Sequence, residues 1–263
     1  MSLDNSKAFL DPQMDGDFLA LLPPVPHARL GEAISGSTTL EATTVFAFHY
    51  QDGVLFAGDH RATAGNQIFS DQTEKIVELD STSMMAIAGS PAVAFEMART
   101  LQTAFEFYRR SQLQGMSLAA KVRALSRLLA NNLPATLQGV GAVAPIFAGV
   151  DVVSGTEAKP TIYFYDPLGA NFEATTFAGS GSGSGHIKSI LSYLEKWGSP
   201  KPSEMELPDA VNLANRLLMT AAEFDSATGG VRPEEDRFGT LRTLSTSGNQ
   251  IIDETQQREF WDA

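Results

Sequence analysis

From residue 43 on, the chain switches between two hydrophobic periods, and the switches predict where its elements begin and end. Thr43–Tyr50 and Val54–Gly58 read as strands joined at Gln51-Asp52-Gly53, where Asp-Gly signals a tight hairpin. Ser83–Ala88 is a further strand. Ser90 then stands as N-cap and Pro91 at the first position of a helix running toward Arg110, which leaves Gly89 in the strand-to-helix turn. Leu118, Val122, Leu125, Leu129 and Leu133 recur at helical spacing and predict a second helix with one core-facing stripe.

Strand patterns return in Ile146–Val153, Thr161–Tyr165 and Phe172–Phe177, separated by Ser154-Gly155 and Pro167-Leu168-Gly169, which predicts a β-meander. Two more helical stripes follow, Ile187, Ile190, Leu191, Leu194 and Trp197, then Val211, Leu217, Leu218, Ala221 and Phe224. Gly239–Leu244 and Gln250–Ile252 close the pattern as strands around Ser247-Gly248-Asn249. Strands, two helices, strands, two helices, strands is the order of an α+β fold, a four-layer αββα sandwich of two sheets between helix pairs. No internal repeat is visible.

Residues 1–42 read differently. Asp, Gly, Ser and Thr are scattered around Leu21-Leu22-Pro23-Pro24-Val25-Pro26 without sustained periodicity, so this stretch is expected to be a leader and residues 43–263 a single domain. Taken alone, such a segment is more often just a tail. The 263 residues, 43% hydrophobic and 19% charged, suffice for that one domain. A net charge of -12 argues against nonspecific binding to nucleic acid or an anionic membrane, since both polyanions would be repelled. No run of eighteen apolar residues and no basic segment leading into an apolar core occurs, so a cytoplasmic location is expected. The absence of cysteine excludes disulfides, a cysteine nucleophile and thiolate metal sites.

The chemistry lies in a spacing: Thr43 precedes Asp59 by sixteen residues and Lys75 by thirty-two. An internal threonine hydroxyl is a poor nucleophile because nothing nearby must accept its proton. Cutting the Ala42–Thr43 bond would change that, since the new α-amine, with a reference pKa of about 7.7–8, lies within reach of its own hydroxyl. A lysine ammonium beside the pair would favour the neutral amine and the developing alkoxide, and an aspartate would hold the lysine charged and oriented. Lys75 and Asp59 suit those roles.

Thr43-Thr44-Val45, Gly53-Val54-Leu55-Phe56-Ala57-Gly58-Asp59-His60-Arg61-Ala62-Thr63 and Glu74-Lys75-Ile76 together resemble a proteasome β subunit, in order and in spacing. Ala88-Gly89-Ser90 is similar to that family's oxyanion segment, Gly181-Ser182-Gly183-Ser184 to its serine loop, and Asp225-Ser226-Ala227-Thr228-Gly229-Gly230 to its late aspartate motif. The long helical segments, the extended leader and the late motif look most like the bacterial, actinobacterial type. The resemblance implies an N-terminal-nucleophile hydrolase fold and a threonine endopeptidase whose leader is removed by self-cleavage at Ala42–Thr43. It implies that Thr43 is nucleophile and, through its amine, base, that Lys75 tunes the amine and that Asp59 orients Lys75. The Gly89 N–H would stabilise the oxyanion, Ser182 and Asp225 would complete the network around the amine, and Arg61 would be a structural support. Thr63 and Pro91 fall where the family binds substrate backbone, and Ala62, Thr73, Val77 and Ile87 at its S1 pocket, a mostly apolar set favouring cleavage after hydrophobic residues.

The same resemblance implies a homo-oligomeric ring of seven β subunits, stacked with rings of α subunits and fed unfolded or modifier-tagged proteins by an AAA ATPase. No metal and no organic cofactor is implied. His27, His49, His60 and His186 show no metal-ligand spacing and give no serine–histidine–aspartate arrangement without arbitrary choices. Singly, Asp59 and Lys75 would be ordinary surface charges, the Gly179–Gly185 run a flexible or phosphate-binding loop, and Asp225-Ser226 a helix end. The repeated Gly-Ser leaves Ser180 and Ser184 as alternates to Ser182. Ser37-Thr38-Thr39-Leu40 offers a competing start, but a nucleophile at Thr39 would break both spacings. Ala42 departs from the glycine usual before the nucleophile, and its methyl group is expected to slow self-cleavage. Two rivals stand beside the main reading: a simpler chambered threonine peptidase, against which the long leader argues, and a noncatalytic ring subunit, against which the retained Thr43 and Lys75 argue.

Overall fold

Along the strand that follows Thr43, successive side chains enter different cores. Phe46 and Phe48 belong to one buried cluster and Val45 and Ala47 to another, because neighbouring residues of a strand point to opposite faces. Both faces are therefore covered, and the near-continuous apolar run is the signature of a strand inside a sandwich.

The computed structural model describes residues 40–64, 67–138, 140–151 and 159–262. Its first half comprises β1 (Leu40–Ala42), β2 (Thr44–Tyr50), β3 (Gly53–Gly58), β4 (Ala62–Ala64), β5 (Gln67–Ser70), β6 (Ile76–Asp80) and β7 (Ser83–Ala86). Helices α1 (Pro91–Gln112), α2 (Leu118–Asn131) and α3 (Leu133–Leu137) come next, then β8 (Ile146–Gly149), β9 (Thr161–Tyr165), β10 (Asn171–Ala174) and β11 (Phe177–Gly181). The chain continues through α4 (Ser184–Trp197), α5 (Leu207–Phe224), β12 (Thr240–Ser245), β13 (Gly248–Ile252) and α6 (Glu254–Asp262).

Two five-stranded antiparallel sheets result, one ordered β11-β2-β3-β12-β13 and the other β10-β9-β8-β7-β6, with a small sheet β1-β4-β5 beside them. Three apolar layers hold them. Val45, Ala47, Val54 and Phe56 meet Met84, Ala86, Ile146 and Ala148 between the large sheets. Phe46, Phe48 and Leu55 pack against Ile187 and Leu191 of α4 and Val211 and Leu218 of α5. Met85, Ile87 and Phe147 pack against Leu101 and Phe105 of α1 and Leu125 and Leu129 of α2. Each fully buried Val, Leu, Ile, Phe or Met among them is worth about 1.5–3 kcal/mol, so these interlocked layers carry the stability of the sandwich. The expected αββα order is what forms.

Several details differ from the sequence pattern. Phe172–Phe177 is not one strand: β10 ends at Ala174 in one sheet and β11 begins at Phe177 in the other. Gly179-Ser180-Gly181, which reads as loop, is the end of β11 and pairs with β2, Gly181 opposite Thr44. Trp197 and Phe224, expected in the core-facing stripes, are the last residues of their helices and are 68% exposed. Leu133 is only half-buried, in α3. Ser90 occupies the N-cap of α1, but its side chain makes no capping bond. The expected leader lies outside the described residues as far as position 39, and with it the competing Thr39 start; so do Val152-Val153 and Ser154-Gly155.

Candidate active site

Antiparallel pairing collects six chain segments at one end of the sandwich. The start of β2 brings Thr43 and Thr44, the end of β3 brings Asp59, and the end of β11 brings Ser182. The arms of the β6–β7 hairpin bring Lys75 and Gly89, with the Ile87 N–H bonded to the Lys75 carbonyl at 2.8 Å. The C-terminus of α5 delivers Asp225 as its cap residue.

Asp59 is the hub. Its Oδ1 accepts from Lys75 Nζ at 2.6 Å and from the Thr44 N–H at 3.0 Å. Its Oδ2 accepts from the Arg61 N–H at 3.0 Å and the Gly229 N–H at 2.7 Å. Both side chains of the pair are buried, Lys75 at 2% exposure and Asp59 at 0%. Burial pulls the Lys75 ammonium below its ordinary pKa, and the Asp59 carboxylate recovers part of that shift. Lys75 also donates to the Arg61 carbonyl. Arg61 in turn binds Asp71 at 3.0 Å and the carbonyls of Ser226 and Thr228 at 3.1 and 3.3 Å, lacing the loop after β3 to the loop after α5. The Arg61 guanidinium holds the Asp71 carboxyl below the usual range.

A second network surrounds Asp225. Ser182 Oγ and Thr228 Oγ1 each donate to its Oδ2 at 2.6 Å, and the Ala227 N–H donates to Oδ1 at 3.1 Å. Burial alone would raise this carboxyl, but the bonds from Ser182 and Thr228 outweigh it and the net shift is downward. Thr228 has one hydroxyl proton and gives it to Asp225, so Thr44 Oγ1 is the donor across the 2.7 Å contact between the two threonines. Thr44 Oγ1 accepts from the Gly183 N–H at 3.0 Å. A directed chain thus runs from Gly183 through Thr44 and Thr228 to Asp225. Thr44 joins it to the first network, because its N–H is on Asp59.

Of the three candidate serines, Ser182 is the one bonded to Asp225. Ser180 Oγ donates to the Ala144 carbonyl at 2.7 Å and Ser184 Oγ to the Gly181 carbonyl at 2.7 Å. Thr43, 4% exposed, sits between β1 and β2 with its carbonyl accepting from the Ser182 N–H at 3.1 Å. The chain crosses so close here that a Cβ on Gly181, whose φ is +95°, would lie 1.6 Å from that carbonyl oxygen. Gly89, at φ +100°, is equally constrained, since a Cβ would meet the Ala142 carbonyl at 2.1 Å. The bonds of this turn run from the Ser90 N–H to Ala142 and from the Ala144 N–H to Ala88, and neither uses the Gly89 N–H.

Leu40–Ala42 forms an antiparallel strand against β4, Ala42 opposite Thr63. Ala62 and Thr63 are buried in β4, and Pro91 opens α1. Ile87 is buried in the layer under α1, with Val77 packed against it; Thr73 is half-buried and its N–H bonds the His60 carbonyl at 3.0 Å. His60 approaches Thr240 Oγ1, and among the described residues no group of histidines and carboxylates could hold a metal. Thr44, Gly183, Thr228 and Gly229 stand inside the motifs read from the sequence, but that reading gave them no role. No local signal pairs Thr44 with Thr228, which lies 184 positions away.

The family model described as "Proteasome subunit" matches residues 39–231. The chain is 36% identical to a proteasome subunit beta of Acidothermus cellulolyticus over 244 residues, 91% of this chain and 82% of the relative. It is 34% identical to proteasome subunit beta 2 of Thermomonospora curvata, over 91% of this chain and 77% of that protein. A proteasome subunit beta of Frankia casuarinae is 36% identical over 81% of this chain and 75% of its own length.

Proposed function

The chain belongs to the proteasome subunit family, and from that premise we propose that it is the β subunit of a bacterial proteasome core, a threonine endopeptidase with Thr43 as nucleophile. One observation carries the reading: the buried Lys75–Asp59 pair is tied through Asp59 Oδ1 to the N–H of Thr44, one peptide unit from the Thr43 side chain.

The leader is released first. Thr43 Oγ bonds to the Ala42 carbonyl carbon, the C–N bond to Thr43 breaks as the hydroxyl proton passes to that nitrogen, and water hydrolyses the resulting ester. The freed α-amine then takes the proton of Thr43 Oγ as it attacks a substrate carbonyl, forming an acyl ester while the amine leaving group departs protonated; water completes the cycle. Lys75, held as an ammonium by Asp59, keeps the amine neutral and stabilises the alkoxide. The Gly89 N–H, used by neither bond of its turn among the described residues, supports the oxyanion, a donor typically worth about 3–4 kcal/mol. Ser182 and Asp225 orient the amine, and Arg61 fixes the two loops around it.

β1 lies on β4, where Thr63 offers its backbone. Before cleavage the end of the leader occupies the place of a substrate strand; afterwards a substrate adds to β4 in its stead. Ala62, Thr73, Val77 and Ile87 form the pocket for the residue before the cut bond, and Pro91, like Thr63, serves the substrate backbone. The functional unit is a cytoplasmic ring, sevenfold and capped by α subunits, receiving unfolded or tagged chains from an AAA ATPase. Among the described residues no helix is long and apolar enough to cross a membrane. Hydrolysis of fluorogenic peptides by the subunit assembled with its α partner tests the proposal: activity lost in Thr43→Ala supports it, and activity retained in that variant overturns it.

A further inference from the structure

A second lysine is as deeply buried as Lys75 and has no part in the chemistry above. Lys121, on α2, is 1% exposed, with its Nζ 2.7 Å from Asp80 Oδ2, 2.7 Å from Thr82 Oγ1 and 5.3 Å from the Phe105 ring centroid. Asp80 ends β6, the strand that begins immediately after Lys75. We propose that Lys121 is a positioning residue for the peptidase reaction: by anchoring Asp80 at the tip of the β6–β7 hairpin it fixes Lys75 and Gly89 at the open end.

The proposal rests on the functional reading of Thr43, Lys75 and Gly89. Its physical basis is that β6 is an outer strand, bonded in its sheet to β7 alone among the described residues. A strand without a second neighbour is held by side chains, and each end of β6 is. Arg242 of β12 pairs with Glu74, Gln102 of α1 bonds the Glu78 carbonyl at 2.7 Å, and Asn249 of β13 bonds the Asp80 carbonyl at 2.7 Å. Near its tip the ladder is irregular, the register shifting between Glu78 and Asp80, so regular pairing does not set the tip. Lys121 grips both sides of the turn, Asp80 and Thr82, and Thr82 is tied to the end of β8 by the Val150 N–H at 2.9 Å.

At about 3.3 Å per residue, Asp80 lies roughly 17 Å from Lys75 along a paired, twisted ribbon. Such a ribbon transmits a tilt of its tip to its open end, where one arm holds the Lys75 ammonium and the other the Gly89 N–H. An apolar residue could fill the space of Lys121 without the desolvation that a buried ammonium carries. Geometric specificity is what a buried ion pair adds. Displacement of a catalytic group by about 1 Å can cost on the order of 100-fold in rate, so a slight loosening is measurable.

The test compares wild type with Lys121→Met, Lys121→Arg and Thr82→Val, each assembled with its α partner. It reads the labelling rate of Thr43 by an epoxyketone, kcat and KM on a fluorogenic peptide, the pH profile and the melting temperature. Expected in Lys121→Met is a roughly 3- to 10-fold lower labelling rate and kcat at unchanged KM. The acid limb of kcat moves to higher pH, because the Lys75 ammonium, surrounded by Asp59, Arg61 and Asp225, no longer sits where it best favours the neutral amine. Lys121→Arg restores both. Should Lys121→Met fail to assemble, Thr82→Val, which removes one acceptor of Lys121 at a half-buried site, is expected to show the same changes at smaller amplitude. A lowered melting temperature with kcat, KM and acid limb as in wild type makes the pair merely structural and overturns the proposal. A wild-type chain that is never labelled overturns the functional reading itself, and this inference with it.

Discussion

Lys75 with Asp59 and Lys121 with Asp80 are nearly the same ion pair, 2.6 and 2.7 Å long, each with its ammonium out of water. They differ in where the aspartate finds its other donors. Asp59 is bonded by Thr44, Arg61 and Gly229, the last 170 positions away, and is itself fully buried. Asp80 is 28% exposed and takes its remaining bonds from Thr82 and Ser83 in its own turn. One carboxylate therefore gathers distant segments into a site, and the other stiffens a local turn. Lys121 is sealed beneath Phe105, whereas Lys75 lies among the segments that bring Thr43 and Asp225. The same interaction serves chemistry in one place and scaffolding in the other because of what surrounds the anion.

The comparison breaks most visibly in activity. Lys75→Met is expected to lower kcat/KM on the order of 1,000-fold or more, against the several-fold loss in Lys121→Met, with peptide hydrolysis as the readout. Equal losses in the two variants would erase the distinction. Stability separates the aspartates next. Asp59→Asn leaves an uncompensated ammonium in a dry site and should cost about 3–5 kcal/mol in denaturant unfolding, while Asp80→Asn leaves Lys121 its bond to Thr82 and should cost about half that. Ser182→Ala is expected to lower kcat by about 10-fold or more, and Ser180→Ala, which loses only a bond to the Ala144 carbonyl, to leave kcat within about twofold.

The smallest effect is a pH dependence of the same sign for the two pairs but in separate windows, alkaline for Lys75 and acid for Asp80. Lys75 has a folded pKa below its unfolded value near 10.5, so the unfolded chain binds more protons there and stability rises with pH through the window just below 10.5. Burial would raise the Asp80 carboxyl, but bonds from Lys121 and Ser83 lower it below its unfolded value near 3.8. Its contribution is present above that value and is lost as pH falls through the folded pKa. Unfolding of Lys75→Met should lack the alkaline gain, and that of Asp80→Asn should lack part of the acid loss.

The strands were legible as apolar runs, as in Val45, Phe46, Ala47 and Phe48, whose side chains divide between two cores in the fold. β11 was not, because Gly179-Ser180-Gly181 carries no hydrophobic signal and is a strand only through its pairing with β2. Trp197 and Phe224 continue the spacing of their helical stripes in sequence but stand exposed at the helix ends. At the site, Thr43, Asp59 and Lys75 stand out by spacing, since strand lengths and tight turns preserve it. The sequence favours Ser182 but leaves Ser180 and Ser184 as alternates, and in space it is Ser182 that bonds Asp225. The Thr44–Thr228 bridge depends on two loops meeting across the fold, which no window of sequence records.

The most direct measurement of the central claim is the intact mass of the assembled subunit before and after exposure to a threonine-reactive β-lactone. A chain beginning at Thr43 and heavier by one adduct is the predicted result; a chain that retains its leader and takes no label would contradict it.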